Sequence, residues 1–159
     1  MIRLIAAVDD KLGIAKNGSM PWDIPEDEKY FSEETKKFGG RVLTAGKTFR
    51  EAYKSKPLKN RKNFIYTRSQ VSIEDAEVVN DLAEFLKEIS NDIWVAGGGE
   101  LFSQIISKKL PIELYITHIK GDFGCDTFFP EFNNFKLKSK SEILHQNGYE
   151  FYYAIYTNQ

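Results

Sequence analysis

The chain has 159 residues, the size of one ordinary domain, which is long enough to bury a continuous hydrophobic core. Its 42% hydrophobic and 14% aromatic content excludes a disordered chain. Because 22 basic side chains are balanced by 23 acidic ones, the net charge is -1, and neither nucleic acid nor an anionic membrane is expected as a general partner. We predict a single domain over residues 1–159 and, as the default for this size, a monomer.

Cys125 is the only cysteine, so no disulfide within the chain and no cysteine-rich metal site can form. The two histidines, His118 and His145, are far apart in the sequence, and we expect no bound metal. The apolar segment after Met1 is too short for a signal peptide, and no apolar run is long enough to cross a membrane. These features predict a cytoplasmic protein.

The N-terminal part predicts a strand, a long loop and a helix. Ile2–Val8 is an apolar run typical of a buried strand. Residues 9–24 predict an irregular loop, and long loops in compact domains are often functional. Pro25 begins a predicted helix that continues to Gly39 and Gly40, with an acidic first turn that suits the helix dipole. One face of this helix is formed by Asp27, Phe31, Glu34, Thr35 and Phe38.

The rest of the chain predicts alternating strands and helices and a final hairpin. Strands are predicted at residues 41–45, 63–67, 77–79, 93–96 and 113–119, and helices at residues 81–89 and 100–106, with a basic, helical connection between the strands at 41–45 and 63–67. Asn147-Gly148 is a strong turn signal between strands at 135–144 and Tyr149–Thr157. The pattern predicts an α/β fold with a mostly parallel mixed central sheet, helices on both faces and a C-terminal antiparallel hairpin.

Asp27 is the first candidate for chemistry. A carboxylate at the start of a helix, close to Trp22 and on the same face as Phe31, could hold an amidine-like ring by paired, charge-assisted hydrogen bonds. Acidic residues are also common in the first turn of helices for electrostatic reasons alone. Position by itself therefore does not separate Asp27 from Glu26 or Glu28.

Two glycine-containing segments are candidates for phosphate binding. Gly97-Gly98-Gly99, between a strand and a helix, lets a diphosphate approach a helix N-terminus, although a tight turn would use the same residues. Gly46-Lys47-Thr48 resembles the end of a P-loop, but five residues separate it from Gly40 where that motif has four, and those residues predict a strand. The spacing argues against a nucleotide kinase, while the triplet could still hold a phosphate.

Taken together, these segments resemble the dihydrofolate reductase family over nearly the whole chain. Residues 13–22 (GIAKNGSMPW) are similar to the family's mobile active-site loop, and they lead into Trp22-x-x-Pro25-x-Asp27-x-x-x-Phe31, which is similar to its catalytic helix. Further similarities lie in Pro57-Leu58, Arg61-Lys62-Asn63, the glycine triplet, residues 115–119 (YITHI), Asp126-Thr127 and Phe129-Pro130. The resemblance implies NADPH-dependent reduction of 7,8-dihydrofolate to 5,6,7,8-tetrahydrofolate by hydride transfer.

On the substrate side, the resemblance implies that Asp27 bonds the pterin ring and promotes its protonation. Thr117 would hydrogen-bond Asp27, and Trp22 would hold a water molecule. Substrate contacts are further implied for Ile5, Ala6, Phe31, Leu58 (against the benzoyl group) and Arg61 (with the glutamate α-carboxylate).

On the cofactor side, the resemblance implies a cis peptide between Gly97 and Gly98, next to the diphosphate. Lys47 and Arg68 would bind the 2′-phosphate that distinguishes NADPH from NADH. The full implied cofactor set is Ala7, Ile14, Met20, Gly46, Lys47, Thr48, Thr67, Arg68, Gly97, Gly98, Gly99, Leu101, Phe102 and Thr127.

The chain departs from the family at two informative positions. Gly46 lies where many members have an arginine near the cofactor phosphates, a loss that Lys47 replaces in part. Glu28 lies where an apolar residue usually faces the folate, which keeps open a reductase of the same fold acting on another pterin or an aminopyrimidine. A non-catalytic binding module is the other alternative, although we would expect such a protein to have lost Asp27 or the glycine triplet.

Overall fold

The computed structural model describes all 159 residues. The strands are β1 (Ile2–Val8), β2 (Gly13–Ala15), β3 (Arg41–Ala45), β4 (Lys62–Tyr66), β5 (Ala76–Val79), β6 (Ile93–Val95), β7 (Ile112–Ile119), β8 (Thr127–Phe128), β9 (Lys136–Lys140), β10 (Leu144–Gln146) and β11 (Tyr149–Thr157). The helices are α1 (Pro25–Glu34), α2 (Gly46–Glu51), α3 (Leu82–Glu88) and α4 (Gly99–Ser107), with a single 3-10 turn at Lys37–Gly39. None of the helices is long and apolar enough to span a membrane.

Nine strands form one sheet in the order β10-β11-β7-β1-β6-β3-β4-β5, and β9 also pairs with β11. The pairings from β7 to β5 are parallel, whereas those made by β11 are antiparallel. The predicted mixed, mostly parallel sheet with an antiparallel C-terminal hairpin is therefore confirmed. Since parallel strands end at one edge, this topology brings the loops after β1, β3 and β6 together.

Alternate residues of each strand point to opposite faces of the sheet, and apolar clusters cover both faces. Leu4, Leu43 and Ile116 belong to the main core, into which α3 and α4 also insert apolar side chains. Ile5 and Tyr115 belong to a smaller cluster on the other face, where α1 packs. The helices predicted on both faces are confirmed, and α1 is fixed against the centre of the sheet.

The loop predicted at residues 9–24 contains a short strand that sequence inspection does not reveal. β2 pairs with β8 in a separate antiparallel sheet of two strands. The Asn17 backbone N–H also donates to Asp126 Oδ2 at 2.9 Å. These contacts hold the loop against the segment around Thr127, so both border the same region of the surface.

The helix predicted to reach Gly39 ends at Glu34. Thr35 caps it by donating its hydroxyl to the Phe31 carbonyl at 2.7 Å, and Phe38 adopts a left-handed backbone conformation with φ 55°. The prediction of a longer helix was wrong because the chain tightens into a 3-10 turn, in which the Lys37 carbonyl accepts the Gly40 N–H at 3.1 Å and also the Trp94 indole N–H at 3.1 Å.

The strand predicted at residues 135–144 is divided into β9 and β10. The Ser141 hydroxyl accepts a hydrogen bond from the Tyr153 N–H at 2.9 Å, so a side chain replaces a backbone carbonyl in the ladder. The turn at Asn147-Gly148 lies where it was predicted, with Gln146 opposite Tyr149.

Candidate active site

A cleft of about 880 Å³ opens at the carboxyl edge of the parallel strands. Its walls come from β1, α1, α2, the glycine triplet before α4, the end of β7 and the 13–22 loop. Most of the predicted site residues line it, namely Ile5, Ala6, Ala7, Ile14, Met20, Asp27, Phe31, Lys47, Thr48, Leu58, Gly97, Gly98, Gly99, Leu101, Phe102, Thr117 and Thr127. The fold thus gathers residues from nearly the whole length of the chain around one cavity.

Asp27 is the buried carboxylate of this cleft. Only 9% of the residue is exposed, whereas its neighbours Glu26 and Glu28 are exposed. The Thr117 hydroxyl, from β7, donates to Asp27 Oδ1 at 2.6 Å. No protein group donates to the second carboxylate oxygen, and Asp27 lines the cavity. One oxygen is therefore fixed by the protein while the other is free for a ligand.

Burial raises the pKa of Asp27 from its ordinary value of 3.8 to about 6, because a carboxylate loses hydration in this position. The hydrogen bond from Thr117 acts in the opposite direction, and the negative charge of Glu28 adds to the increase. A carboxyl group with a pKa near neutrality can exchange a proton with a ligand under physiological conditions.

Within the glycine triplet, Gly98 and Gly99 approach neighbouring protein groups too closely to carry side chains. A Cβ on Gly98 would lie 2.8 Å from Thr48 Oγ1, and a Cβ on Gly99 would lie 2.6 Å from the Phe128 carbonyl oxygen. The Gly97–Gly98 peptide bond is cis, and Gly97 has φ 124°. Bare backbone therefore forms this wall of the cleft immediately before the N-terminus of α4, whose free N–H groups favour an anion.

A smaller recess of about 270 Å³ adjoins the cleft and shares Lys47 and Leu101 with it. The predicted residues Gly46, Thr67 and Arg68 line this recess rather than the main cleft. Two charged residues that sequence inspection did not select, Arg50 and Glu100, also line it. Arg50 follows Gly46 by four positions on α2, the spacing that places two helical residues on one face, and this spacing is the signal that could have identified it.

Two predicted residues lie outside both cavities. The Trp22 ring is buried against Phe123 and its Nε1 has no protein partner. The Arg61 guanidinium donates to Thr35 Oγ1 at 2.9 Å and to the Lys59 carbonyl at 2.8 Å. Their roles in binding stay predictions. No group of three or more His, Cys, Asp and Glu side chains is arranged to hold a metal ion.

Comparisons with known proteins agree with this geometry. The family model described as "Dihydrofolate reductase" matches residues 1–158. The chain is 34% identical to the dihydrofolate reductase of Aedes albopictus, with 96% of this chain and 95% of the relative covered. It is 32% identical to the dihydrofolate reductase of Bacillus subtilis, with 98% and 94% covered.

A solved structure of dihydrofolate reductase from Enterococcus faecalis, complexed with NADP(H) and RAB-propyl, superposes with a TM-score of 0.84. The two chains are 27% identical, and the match covers 100% of this chain and 97% of the other. Since both the sequence and the fold match from end to end, this chain belongs to the dihydrofolate reductase family.

Proposed function

We propose that this protein reduces 7,8-dihydrofolate to 5,6,7,8-tetrahydrofolate with NADPH as the hydride donor. The observation that carries the proposal is the buried Asp27, held by Thr117 in a cleft whose opposite wall is the bare backbone of the glycine triplet. This arrangement can hold a flat, hydrogen-bonding ring at one end and a phosphate-bearing cofactor at the other.

At the substrate end, the carboxylate of Asp27 bonds the amino group and the adjacent ring nitrogen of the pterin. Thr117 fixes the orientation of the carboxylate, and Ile5, Ala6 and Phe31 provide apolar walls that exclude water. The negative charge of Asp27 favours the protonated form of the pterin imine, and its pKa near 6 lets it exchange a proton at neutral pH. Trp22 has a buried indole N–H without a protein acceptor, which supports its proposed role as a donor to a water molecule.

At the other end, the residues fit a phosphorylated dinucleotide. The glycine triplet lines the cleft beside Thr48, so a diphosphate can approach bare backbone at the N-terminus of α4. Lys47 and Arg68 line the recess next to it, and neither has a carboxylate partner within 4 Å. NADPH supplies the hydride when bound, and the protein orients the two rings and keeps water away.

The product identifies the reaction. Reduction of the C=N bond adds a hydride to carbon and a proton to nitrogen, so the product is heavier than the substrate by two hydrogen atoms. We expect mass spectrometry to show this change for dihydrofolate incubated with the protein and NADPH. Finding dihydrofolate unchanged, while an aminopyrimidine is reduced under the same conditions, would contradict the proposal.

Thr117 provides a specific test of the Asp27 assignment. In Thr117→Val the Asp27 carboxylate loses its side-chain donor, so its pKa should rise further above 6. We expect the pH at which turnover falls to half its maximum to shift upward, by about one unit, with about tenfold weaker dihydrofolate binding. Thr117→Ser keeps the hydroxyl and should behave as the parent does. Identical pH profiles for all three proteins would remove Thr117 from the mechanism.

The position of Glu28 favours a second candidate function, that of a reductase of the same fold acting on another pterin or an aminopyrimidine. Its carboxylate is exposed and lines the cleft on the turn that carries Asp27. The tail of dihydrofolate bears two carboxylates, which a negative side chain repels, whereas a substrate without that tail experiences no such repulsion.

If dihydrofolate is the substrate, Glu28→Gln should lower its KM by about threefold, as expected for removing one exposed like charge, and high salt should reduce the difference. The substitution should also move the pH profile to lower pH, because the negative charge of Glu28 raises the pKa of Asp27. Glu33→Gln, on the same helix and outside the cleft, is the matched control. An unchanged KM for dihydrofolate together with a raised KM for an aminopyrimidine would favour the second candidate.

A further inference from the structure

Three cations converge on the recess of about 270 Å³ beside the cleft. Lys47, Arg50 and Arg68 all line it, and Glu100 is the only acidic residue among its walls. None of the three cationic side chains takes part in an ion pair or a side-chain hydrogen bond within the protein. Like charges held together without partners repel each other, and a bound anion relieves that repulsion.

The Arg50 guanidinium lies beside Gly46 in the wall of this recess. A Cβ at position 46 would lie 3.1 Å from Arg50 Nη1 and 3.3 Å from the Thr67 Cβ, so the guanidinium lies against the bare backbone of Gly46. On α2 the two residues are four positions apart and share one face. The planar guanidinium therefore lies along the wall of the recess, on the exposed surface of the protein, where a ligand can reach it.

We propose that Arg50, held against Gly46, is a specificity-determining residue that reads the phosphate monoester on the adenosine ribose of the cofactor. This inference rests on the proposed use of NADPH and adds the residue that distinguishes NADPH from NADH. A guanidinium forms two parallel hydrogen bonds to one phosphate, which a lysine ammonium cannot do. Lys47 and Arg68 add positive charge to the same recess, in which Glu100 is the one acidic side chain.

The test is calorimetric titration of the purified protein with NADPH and with NADH, in the absence of a folate. We expect Arg50→Gln to raise the Kd of NADPH by about tenfold, the size of one charge-assisted hydrogen-bonded contact, and to change the Kd of NADH by less than about twofold. The Kd of NADPH for Arg50→Lys should lie between those of the parent and Arg50→Gln, because lysine keeps the charge but cannot form two parallel hydrogen bonds. Lys87→Gln removes an exposed positive charge of α3 outside both cavities and should change neither Kd.

Gly46→Ala tests the positioning separately from the charge. Its methyl group would lie 3.1 Å from Arg50 Nη1 and should displace the guanidinium slightly, so we expect NADPH binding to weaken selectively although every cation is retained. Adding Arg50→Gln to Gly46→Ala should then raise the Kd of NADPH little further, since both changes act on the same contact of Arg50 with the phosphate. Equal losses for NADPH and NADH, or no loss for either, would overturn the role of Arg50.

These outcomes separate the inference from the function on which it rests. Normal reduction of dihydrofolate together with an unchanged preference for NADPH in Arg50→Gln refutes the inference alone. If Arg50→Gln loses NADPH binding selectively while the parent protein reduces no dihydrofolate, the inference is supported and the proposed reaction is refuted.

Discussion

Replacing Asp27 by Asn is expected to lower dihydrofolate turnover at pH 7 by about a hundredfold or more, which is the usual scale for loss of a group that controls proton transfer. Asparagine keeps the shape and can still accept the hydrogen bond from Thr117. It carries no negative charge to favour the protonated pterin imine. The deficit should be smallest in acid, because protons from solution then replace the missing group.

The measurement is steady-state turnover between about pH 5 and pH 8, the range that brackets the pKa of Asp27 near 6. The parent should lose activity as the pH rises above 6, because Asp27 then no longer holds the proton that it passes to the imine. The negative charge that stabilises the protonated pterin is the one left on Asp27 by that transfer. Asp23→Asn is the matched control, since Asp23 is exposed and lines neither cavity. NADPH binding should be the same in all three proteins. An Asp27→Asn variant with the turnover of the parent would show that the proton is directed by another residue.

The same variant is expected to be more stable than the parent at neutral pH. The folded-state pKa of Asp27, about 6, lies above its ordinary value of 3.8, so the folded protein binds a proton more tightly than the unfolded chain does. Below pH 3.8 the carboxyl is protonated in both states, so its burial does not lower the free energy of unfolding. As the pH rises to 6 the unfolded chain loses the proton first, and the stability of the folded protein falls. Above pH 6 the protein carries the whole cost of a buried charge.

Urea unfolding at several pH values measures this cost. We expect Asp27→Asn to raise the free energy of unfolding at pH 7 by about 2 kcal/mol, somewhat less than the roughly 3 kcal/mol that the pKa shift corresponds to, because the buried amide N–H₂ needs an acceptor. The advantage should shrink from pH 6 downward and vanish near pH 4. An advantage that stays constant over this range would mean that desolvation of the charge is not its cause. Asp23→Asn should show no such dependence.

The strands were predictable where burial alone determines the pattern. β1 and β3 have buried centres and lie inside a parallel sheet, and both match their predicted bounds. The Asn147-Gly148 turn was predictable because both residues have positive φ, at 51° and 81°, a conformation that asparagine and glycine tolerate. In these places local chemistry and the tertiary fold favour the same structure.

The elements that were missed depend on distant partners. β2 and β8 have three and two residues, too few to show any periodicity, and each exists only because the other pairs with it. The end of α1 at Glu34 depends on Thr35, and the following turn depends on the Trp94 indole, which comes from β6. No local signal in the sequence carries such information.

The candidate site, like the fold, was predictable from the sequence only in part. The resemblance of the segment around Trp22 and Asp27 to one family identified the cleft, whereas the residue pattern alone could not separate Asp27 from Glu26 and Glu28. The structure separates them by burial, because the phase of α1 directs only Asp27 towards Thr117 on β7. Arg50 was missed although it follows Gly46 by four positions, because the sequence did not show that this face of α2 borders a recess.

Mixing the purified protein with NADPH and dihydrofolate, and following the absorbance of NADPH, tests the proposed reaction. We expect rapid loss of that absorbance, which requires dihydrofolate and which fails in Asp27→Asn. Stable absorbance in the parent protein, although NADPH binding is demonstrable by titration, would show that dihydrofolate is not the substrate and would favour a different heterocycle beside Glu28.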